Sequence, residues 1–170
     1  MRRLLPILAI SLMAAPVPAA ATEPPVAVSV LVPVTGFLAL EGTAQRNGAV
    51  LALESPPPGV TVTYQVTDTA TSPEVAVTAL QRALDRERPV AVAAPIFGTQ
   101  MLAMAPLAAR AEVPLVTVSG TASITEQGYA VVFRFFPTDA VVKVAQARFA
   151  VEEVGSRRPA LLYQTTADGQ

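Results

Sequence analysis

The sequence predicts an α/β fold: a Rossmann-like parallel sheet with helices on both faces. Short apolar runs rich in β-branched residues alternate along the chain with segments whose apolar residues recur at helical spacing. The alternation repeats about every 30 residues, which is typical of βαβ units with right-handed crossovers. The length of 170 residues favours one domain.

The predicted strands are recognised by apolar, β-branched composition. The first of them, "VAVSVLVP", is apolar at nearly every position, as expected of a strand buried on both faces. Further runs of this kind follow at the expected intervals. The predicted extended segments are 26–33, 60–66, 89–95, 114–118, 129–136 and 159–164.

The predicted helices combine an apolar stripe with end signals. Ser72, Pro73 and Glu74 are typical of a helix start, with a serine N-cap, a proline at the first position and an acid in the first turn. Gly155 is typical of a helix end. In the first helix we expect an inward stripe of Ala44, Gly48, Leu51 and Ala52. The predicted helices are 43–54, 73–86, 99–112 and, after a cap at residue 138 or 139, a last helix to 153.

The first 21 residues have the order of a secretory signal peptide. An arginine pair precedes an apolar core at 4–17, and small residues precede the predicted cleavage after Ala21. The core is shorter than the ~20 residues that span a bilayer, which argues against the alternative of a membrane-anchoring helix. We therefore expect a mature chain in the periplasm.

The composition argues against catalysis, metal binding and nucleic-acid binding. The sequence has no Cys and no His, so it lacks a thiolate nucleophile, a disulfide, and the commonest general base and metal ligand. The formal charge of −1 gives no electrostatic basis for binding nucleic acid. We expect no enzyme activity, no metal and no cofactor.

Small and hydroxyl-bearing residues follow the predicted strands. In an open parallel sheet, ligands bind at the carboxyl ends of the strands, near the point where the strand order reverses. Ser119, Gly120 and Thr121 follow one strand, and Thr99 follows another at a helix N-terminus, which favours an anion such as a carboxylate. The alternative is that these hydroxyls only cap helices and close turns. The predicted site loops are 33–42, 67–72, 95–100 and 119–128.

Three longer blocks carry a family resemblance. They are "PVTGFLALEGTAQRNGAVLALE", "APIFGTQMLAMAPLAARAEVPLVTVSGTAS" and "GYAVVFRFFPTDA", in this order and spacing. From Val26 to its last residue, the chain resembles the N-terminal portion of the periplasmic substrate-binding proteins of branched-chain amino-acid ABC transporters. These form the leucine-binding family, with the type I periplasmic-binding fold. The resemblance implies two α/β lobes that close around an amino acid or a similar small ligand.

The resemblance also implies which residues bind the ligand. Glu41 and Asp168 stand where the family has aromatic residues, and Gly98 stands where it has a serine. The backbone carbonyl of Ser119 is implied as the acceptor for a ligand ammonium group. The implied ligand-binding residues are Glu41, Gly98, Thr99, Ser119, Gly120, Thr121 and Asp168.

The same resemblance divides the chain into three parts. These are the signal peptide (1–21), an N-terminal ligand-binding lobe (22–137) and the incomplete start of a second lobe (138–170), with a hinge near 136–138. It implies a solute-binding protein that delivers a small polar ligand to an ABC transporter permease. Two alternatives stay open: a ligand-sensing domain of the same fold, and a truncated remnant that binds nothing.

Overall fold

A computed structural model describes residues 24–166 of the chain and contains one central sheet. Its strands are β1 Val26–Val32, β2 Val62–Asp68, β3 Ala91–Ala93, β4 Leu115–Thr117 and β5 Val132–Arg134. All neighbouring strands are parallel, in the order β2-β1-β3-β4-β5. The predicted parallel α/β sheet is confirmed.

The described residues form five α-helices between and after the strands. They are α1 Ala39–Leu53, α2 Pro73–Arg86, α3 Gly98–Ala111, α4 Ser123–Glu126 and α5 Asp139–Arg148. A π-helical turn, Phe149–Glu153, continues α5. The short helix α4 lies within 119–128, for which the sequence predicts only a loop.

Helix α2 begins where its sequence signals predict. The backbone N–H of Val75 donates a hydrogen bond to Oγ of Ser72 over 3.3 Å, and Pro73 occupies the first helical position. The predicted inward residues are all buried or half-buried: Ala76, Ala79, Leu80, Ala83 and Leu84. The spacing identifies this face correctly because charged residues mark the opposite side of α2.

One face of the sheet is covered by α2 and α3. Leu31, Val92 and Leu115, from three adjacent strands, belong to the buried cluster on this side. Leu80 of α2 and Met104 of α3 pack into the same cluster. These residues from three strands and two helices form one continuous core, which holds the sheet and both helices together.

The opposite face is covered only in part. Helix α1 lies over β1 and β2, with Gly42 so near to Pro33 that a Cβ atom would overlap its carbonyl group. Beside α1, an apolar groove of about 460 Å³ extends across β3 and β4 to Phe135. Val116 and Phe133 also remain exposed on this side. Helices lie on both faces, as predicted, but one face is open over the last three strands.

The predicted inward stripe of α1 is wrong. All four of its residues are exposed: Ala44, Gly48, Leu51 and Ala52. The helix contacts the sheet through the side that carries Gly42, Gln45 and Ala49, which are buried or half-buried. Apolar residues occur almost all around this helix, so their spacing does not distinguish the face in contact with the sheet.

The prediction of a strand at 159–164 is also wrong. Gly155 ends the π-helical turn as predicted, with a left-handed backbone at φ +71°. From there to residue 166 the chain forms neither strand nor helix, and Leu161 and Leu162 are exposed. A strand needs a hydrogen-bonded neighbour, and no described strand lies beside this segment.

Two predictions fall on residues that the structure does not describe: the signal peptide at 1–21 and the site residue Asp168. The division into a lobe at 22–137 and a further segment at 138–170 remains a prediction. None of the residues 139–153 that form α5 and the π-helical turn is buried. Across residues 24–166, no helix combines the length and apolar character needed to cross a membrane.

Candidate ligand-binding site

The strand order reverses between β1 and β3. Along the chain, β2 is added on one side of β1 and β3 on the other, so the connections that leave β1 and β3 diverge. In parallel sheets such a switch point is where the loops open to admit a ligand. The loops after these strands, at 33–38 and 94–97, and the loops of their neighbours, at 69–72 and 118–122, therefore share one edge.

Asp68 anchors the loop after β1. Its carboxylate accepts hydrogen bonds from the backbone N–H groups of Val34 (2.9 Å), Thr35 (3.2 Å) and Ala70 (2.8 Å), and from Oγ1 of Thr35 (2.5 Å). Burial alone would raise the pKa of Asp68, but these hydrogen bonds together hold that pKa below its usual value. This carboxylate is committed to fixing two loops, which is a structural role.

A second set of contacts fixes the loop after β2. The buried amide of Gln100 in α3 donates hydrogen bonds to the carbonyls of Thr69 (2.9 Å) and Ser72 (3.1 Å). Thr71 donates through Oγ1 to the carbonyl of Thr35 over 2.8 Å. It packs so closely on Gly36, at φ +88°, that a side chain at residue 36 would clash with it. The loops after β1 and β2 therefore form one rigid unit.

The loop after β3 leads into α3 through the residues that the resemblance implies. Gly98 is the first residue of α3 and is buried, and Thr99 is half-buried. Gln45 of α1 fixes this loop, because its amide donates to the carbonyl of Ala94 (2.6 Å) and accepts from the N–H of Ile96 (3.0 Å). The N-cap residue, Phe97, has no side-chain acceptor for the first-turn N–H groups.

Two aromatic rings meet across the switch point. Phe37, in the loop after β1, and Phe97, in the loop after β3, pack edge to face with centroids 5.3 Å apart and planes at 87°. Phe97 is 5% exposed, whereas Phe37 is 64% exposed. This pair was not predicted, although each of the two diverging loops carries one aromatic residue in the sequence.

Glu41 does not lie in a loop. The prediction of a loop over 33–42 is wrong from residue 39 onward, because α1 begins at Ala39 and Glu41 stands exposed in its first turn. Gly42 suggests a loop in the sequence, yet it lies within α1, where the close approach of Pro33 leaves no room for a Cβ atom.

The hydroxyls after β4 are largely buried. Oγ1 of Thr117 donates to the carbonyl of Pro95 (2.8 Å) and accepts from the N–H of Ser119 (3.0 Å). Ser119 is 0% exposed, and its Oγ has no hydrogen-bond partner among the described residues. Thr121 is also buried. Thr117 therefore has a structural role at the end of β4, while Ser119 brings an unpaired polar group to the site.

The chain that leaves β5 covers the loop after β4. Arg134 donates to the carbonyl of Thr121 and to Oγ1 of Thr125, both over 2.9 Å. The N–H of Asp139 donates to the carbonyl of Gly120 over 2.7 Å, and the Asp139 carboxylate fills the space that a side chain at residue 120 would need. The chain from Arg134 to Asp139, where the two predicted lobes join, thus contacts the predicted site directly.

The structure brings five of the seven predicted site residues to two adjoining strand ends. These five are Gly98, Thr99, Ser119, Gly120 and Thr121. Glu41 lies on α1, and Asp168 is outside the described residues. Sequence reasoning missed Phe37, Gln45 and Arg134. Within residues 24–166, no group of three or more metal-ligating side chains is close enough to hold an ion.

Residues 25–170 match the sequence model of a family described as periplasmic binding protein. No curated protein matches the chain in sequence.

Three solved structures illustrate the similarity in fold. LivK, a leucine-binding protein from Thermotoga maritima, is 31% identical with a TM-score of 0.73, over 78% of this chain and 39% of that one. A solute-binding protein of an ABC transporter from Rhodopseudomonas palustris, in complex with 3,4-dihydroxybenzoic acid, is 26% identical with a TM-score of 0.77, over 85% and 40%. LivJ from Streptococcus pneumoniae, in complex with isoleucine, is 20% identical with a TM-score of 0.70, over 78% and 39%, and shows likeness of fold alone. The chain spans about two fifths of the length of these structures.

Proposed function

Because the chain belongs to the periplasmic binding protein family, we propose that it forms the ligand-binding lobe of a solute-binding protein that serves an ABC transporter. The family is extracytoplasmic and consists of binding proteins, and its solved members bind small molecules. The proposed ligand is an amino acid or a related small carboxylate, and the proposed role is binding without catalysis.

The observation that carries this proposal is the meeting of the loops after β3 and β4, next to the switch point. Gly98 and Thr99 begin α3 directly beside the loop 118–122 on the neighbouring strand. The N-terminus of a 14-residue helix concentrates N–H groups and the positive end of the helix dipole, which favour a ligand carboxylate. The backbone carbonyl of Ser119, after β4, is the proposed acceptor for a ligand ammonium group.

The proposed mechanism is capture on this edge, closure of a second lobe over the ligand, and docking on a permease. A clamp of two lobes gains affinity when closure excludes water from the polar contacts. The hinge is proposed at 136–138, just before Asp139, whose N–H donates to the carbonyl of Gly120. Closure would then move a segment that already contacts the loop after β4.

A second ligand class is favoured by the ring pair. An exposed aromatic side chain beside a site for a carboxylate suits an aromatic acid as well as it suits an amino acid. The similar protein from Rhodopseudomonas palustris binds 3,4-dihydroxybenzoic acid. Aromatic carboxylates are therefore the alternative ligand class.

Thermal unfolding of the purified chain with a panel of amino acids, amides and aromatic acids tests the proposed function. A ligand at 100 times its dissociation constant stabilises the native state by roughly 2.7 kcal/mol, which moves the midpoint by several degrees. Cooperative unfolding that no member of the panel shifts would argue against binding by this lobe.

Thr121→Ala tests the assigned edge. We expect the affinity for the ligand identified by the panel to fall by about 1–3 kcal/mol, because a buried hydrogen-bond partner is lost. Thr63→Ala, on the exposed side of β2 far from the edge, is the matched control. Isothermal titration calorimetry measures both affinities. Equal affinities for the two variants would show that Thr121 does not contact the ligand.

A further inference from the structure

Phe37 is exposed in a way that core packing does not explain. Its ring is 64% exposed, and the ring of Phe97 is the aromatic neighbour on which it rests. Phe37 does not line the apolar groove beside α1, so it belongs to the switch-point edge rather than to that groove. Exposure of an apolar side chain to water is unfavourable unless another surface covers it.

The backbone around Phe37 is held on both sides. Before it, Thr35 is bound to Asp68, and Gly36 packs tightly against Thr71. After it, the N–H of Leu38 donates to Oγ1 of Thr71 over 3.5 Å. The ring is therefore presented from a fixed loop, which reduces the entropy that a binding partner must overcome.

The ring pair also lies next to the place proposed for a carboxylate. Phe97 directly precedes Gly98, the first residue of α3, and the ring of Phe37 is 5.3 Å from that of Phe97. The ring of Phe37 therefore rests on the residue that precedes the N-terminus of α3. A ligand whose carboxylate is joined directly to a flat ring fits such a place, since its ring would pack on Phe37 at the centroid distances of about 4.5–7 Å that aromatic pairs prefer.

We propose that Phe37 determines the specificity of the site by packing on the ring of the ligand, so that the site selects aromatic carboxylates over aliphatic amino acids. The inference rests on the proposed function, in which the carboxylate lies at the N-terminus of α3. Phe97 acts as a positioning residue, because its buried ring supports Phe37 from the side away from solvent.

The test compares two probes, 4-hydroxybenzoate and L-leucine, by isothermal titration with the purified full chain. We expect the wild type to bind 4-hydroxybenzoate more tightly. Phe37→Ala should weaken that binding at least about tenfold, because the ring contact and its buried area are both lost. Phe37→Leu keeps apolar volume without a ring, so its affinity for 4-hydroxybenzoate should lie between those of the wild type and Phe37→Ala. Leu40→Ala, at a strongly exposed residue in the first turn of α1, is the matched control and should change neither affinity.

The outcomes separate this inference from the proposed function. If the wild type binds L-leucine but not 4-hydroxybenzoate, or if Phe37→Ala leaves the ratio of the two affinities unchanged, the specificity role of Phe37 is overturned and the proposed function stands. If the wild type binds neither probe nor any member of the wider panel, both are overturned. Because Phe37 is exposed, the unfolding midpoint of each variant should equal that of the wild type, which confirms that any loss of affinity is local.

Discussion

The two faces of the sheet are built from the same strands but are covered differently. On the α2–α3 face, side chains such as Leu31 and Leu115 are buried in one cluster with both helices. On the α1 face, Val116 of β4 and Phe133 of β5 remain exposed. The strands alone therefore do not determine burial, because a strand face is buried only where a helix is placed over it.

This difference indicates where the stability of the described residues resides. The free energy gained on folding scales with the apolar area removed from water, and the buried cluster lies between the sheet and α2 and α3. The α1 face gains less burial and depends on close backbone contact at Gly42 and on polar contacts at the edge.

The largest contrast is expected between two leucines. Leu80→Ala, in the covered core, should lower the free energy of unfolding by about 2–5 kcal/mol, because it loses buried area and leaves a cavity. Leu51→Ala, at a leucine of α1 that is 70% exposed, should change it by less than about 0.5 kcal/mol. Urea denaturation of both variants gives the comparison. Equal losses would mean that the α1 face is covered in solution.

A smaller contrast is expected between two glycines of the same helix. Gly42→Ala should destabilise by about 1–3 kcal/mol, because its methyl group meets the backbone of Pro33 and α1 must shift. Gly48→Ala has open space around it and should stabilise by up to about 1 kcal/mol through helix propensity. The same urea titrations measure both, and a destabilised Gly48→Ala variant would show that something fills the groove.

The smallest effect concerns the polar edge that holds the loop before α1. The pKa of Asp68 is lower in the folded chain than in the unfolded chain, so its contribution is present above about pH 4 and is lost as pH falls through the folded-state pKa. Asp68→Asn should lower stability by about 1 kcal/mol or less at neutral pH, because the carboxylate is partly solvated. The stability of Asp68→Asn should also vary less with pH, at acidic pH, than that of the wild type. Parallel curves of urea midpoint against pH for both proteins would rule out this role for Asp68.

Local signals predicted the elements that local physics controls. The N-cap at Ser72, the helix end at Gly155 and the inward face of α2 are confirmed, because capping bonds and charged outer faces act within a few residues. The strand at 159–164 and the stripe of α1 were wrong, since each depends on a partner element. The candidate site was predicted as a set of strand-end loops, and the structure confirms that these loops share one edge.

By itself, the sequence determined the parallel α/β fold, the face of α2 that packs on the sheet, and the loops that could hold a ligand. Alternation of strand and helix, capping residues and strand-end hydroxyls are enough for that, because they express backbone and side-chain preferences over short distances. Only the tertiary structure decided that Glu41 is helical, that Asp139 sits on Gly120, and that Phe37 meets Phe97. The last two are contacts between residues far apart in the chain, which come together because the parallel strands place their ends at one edge.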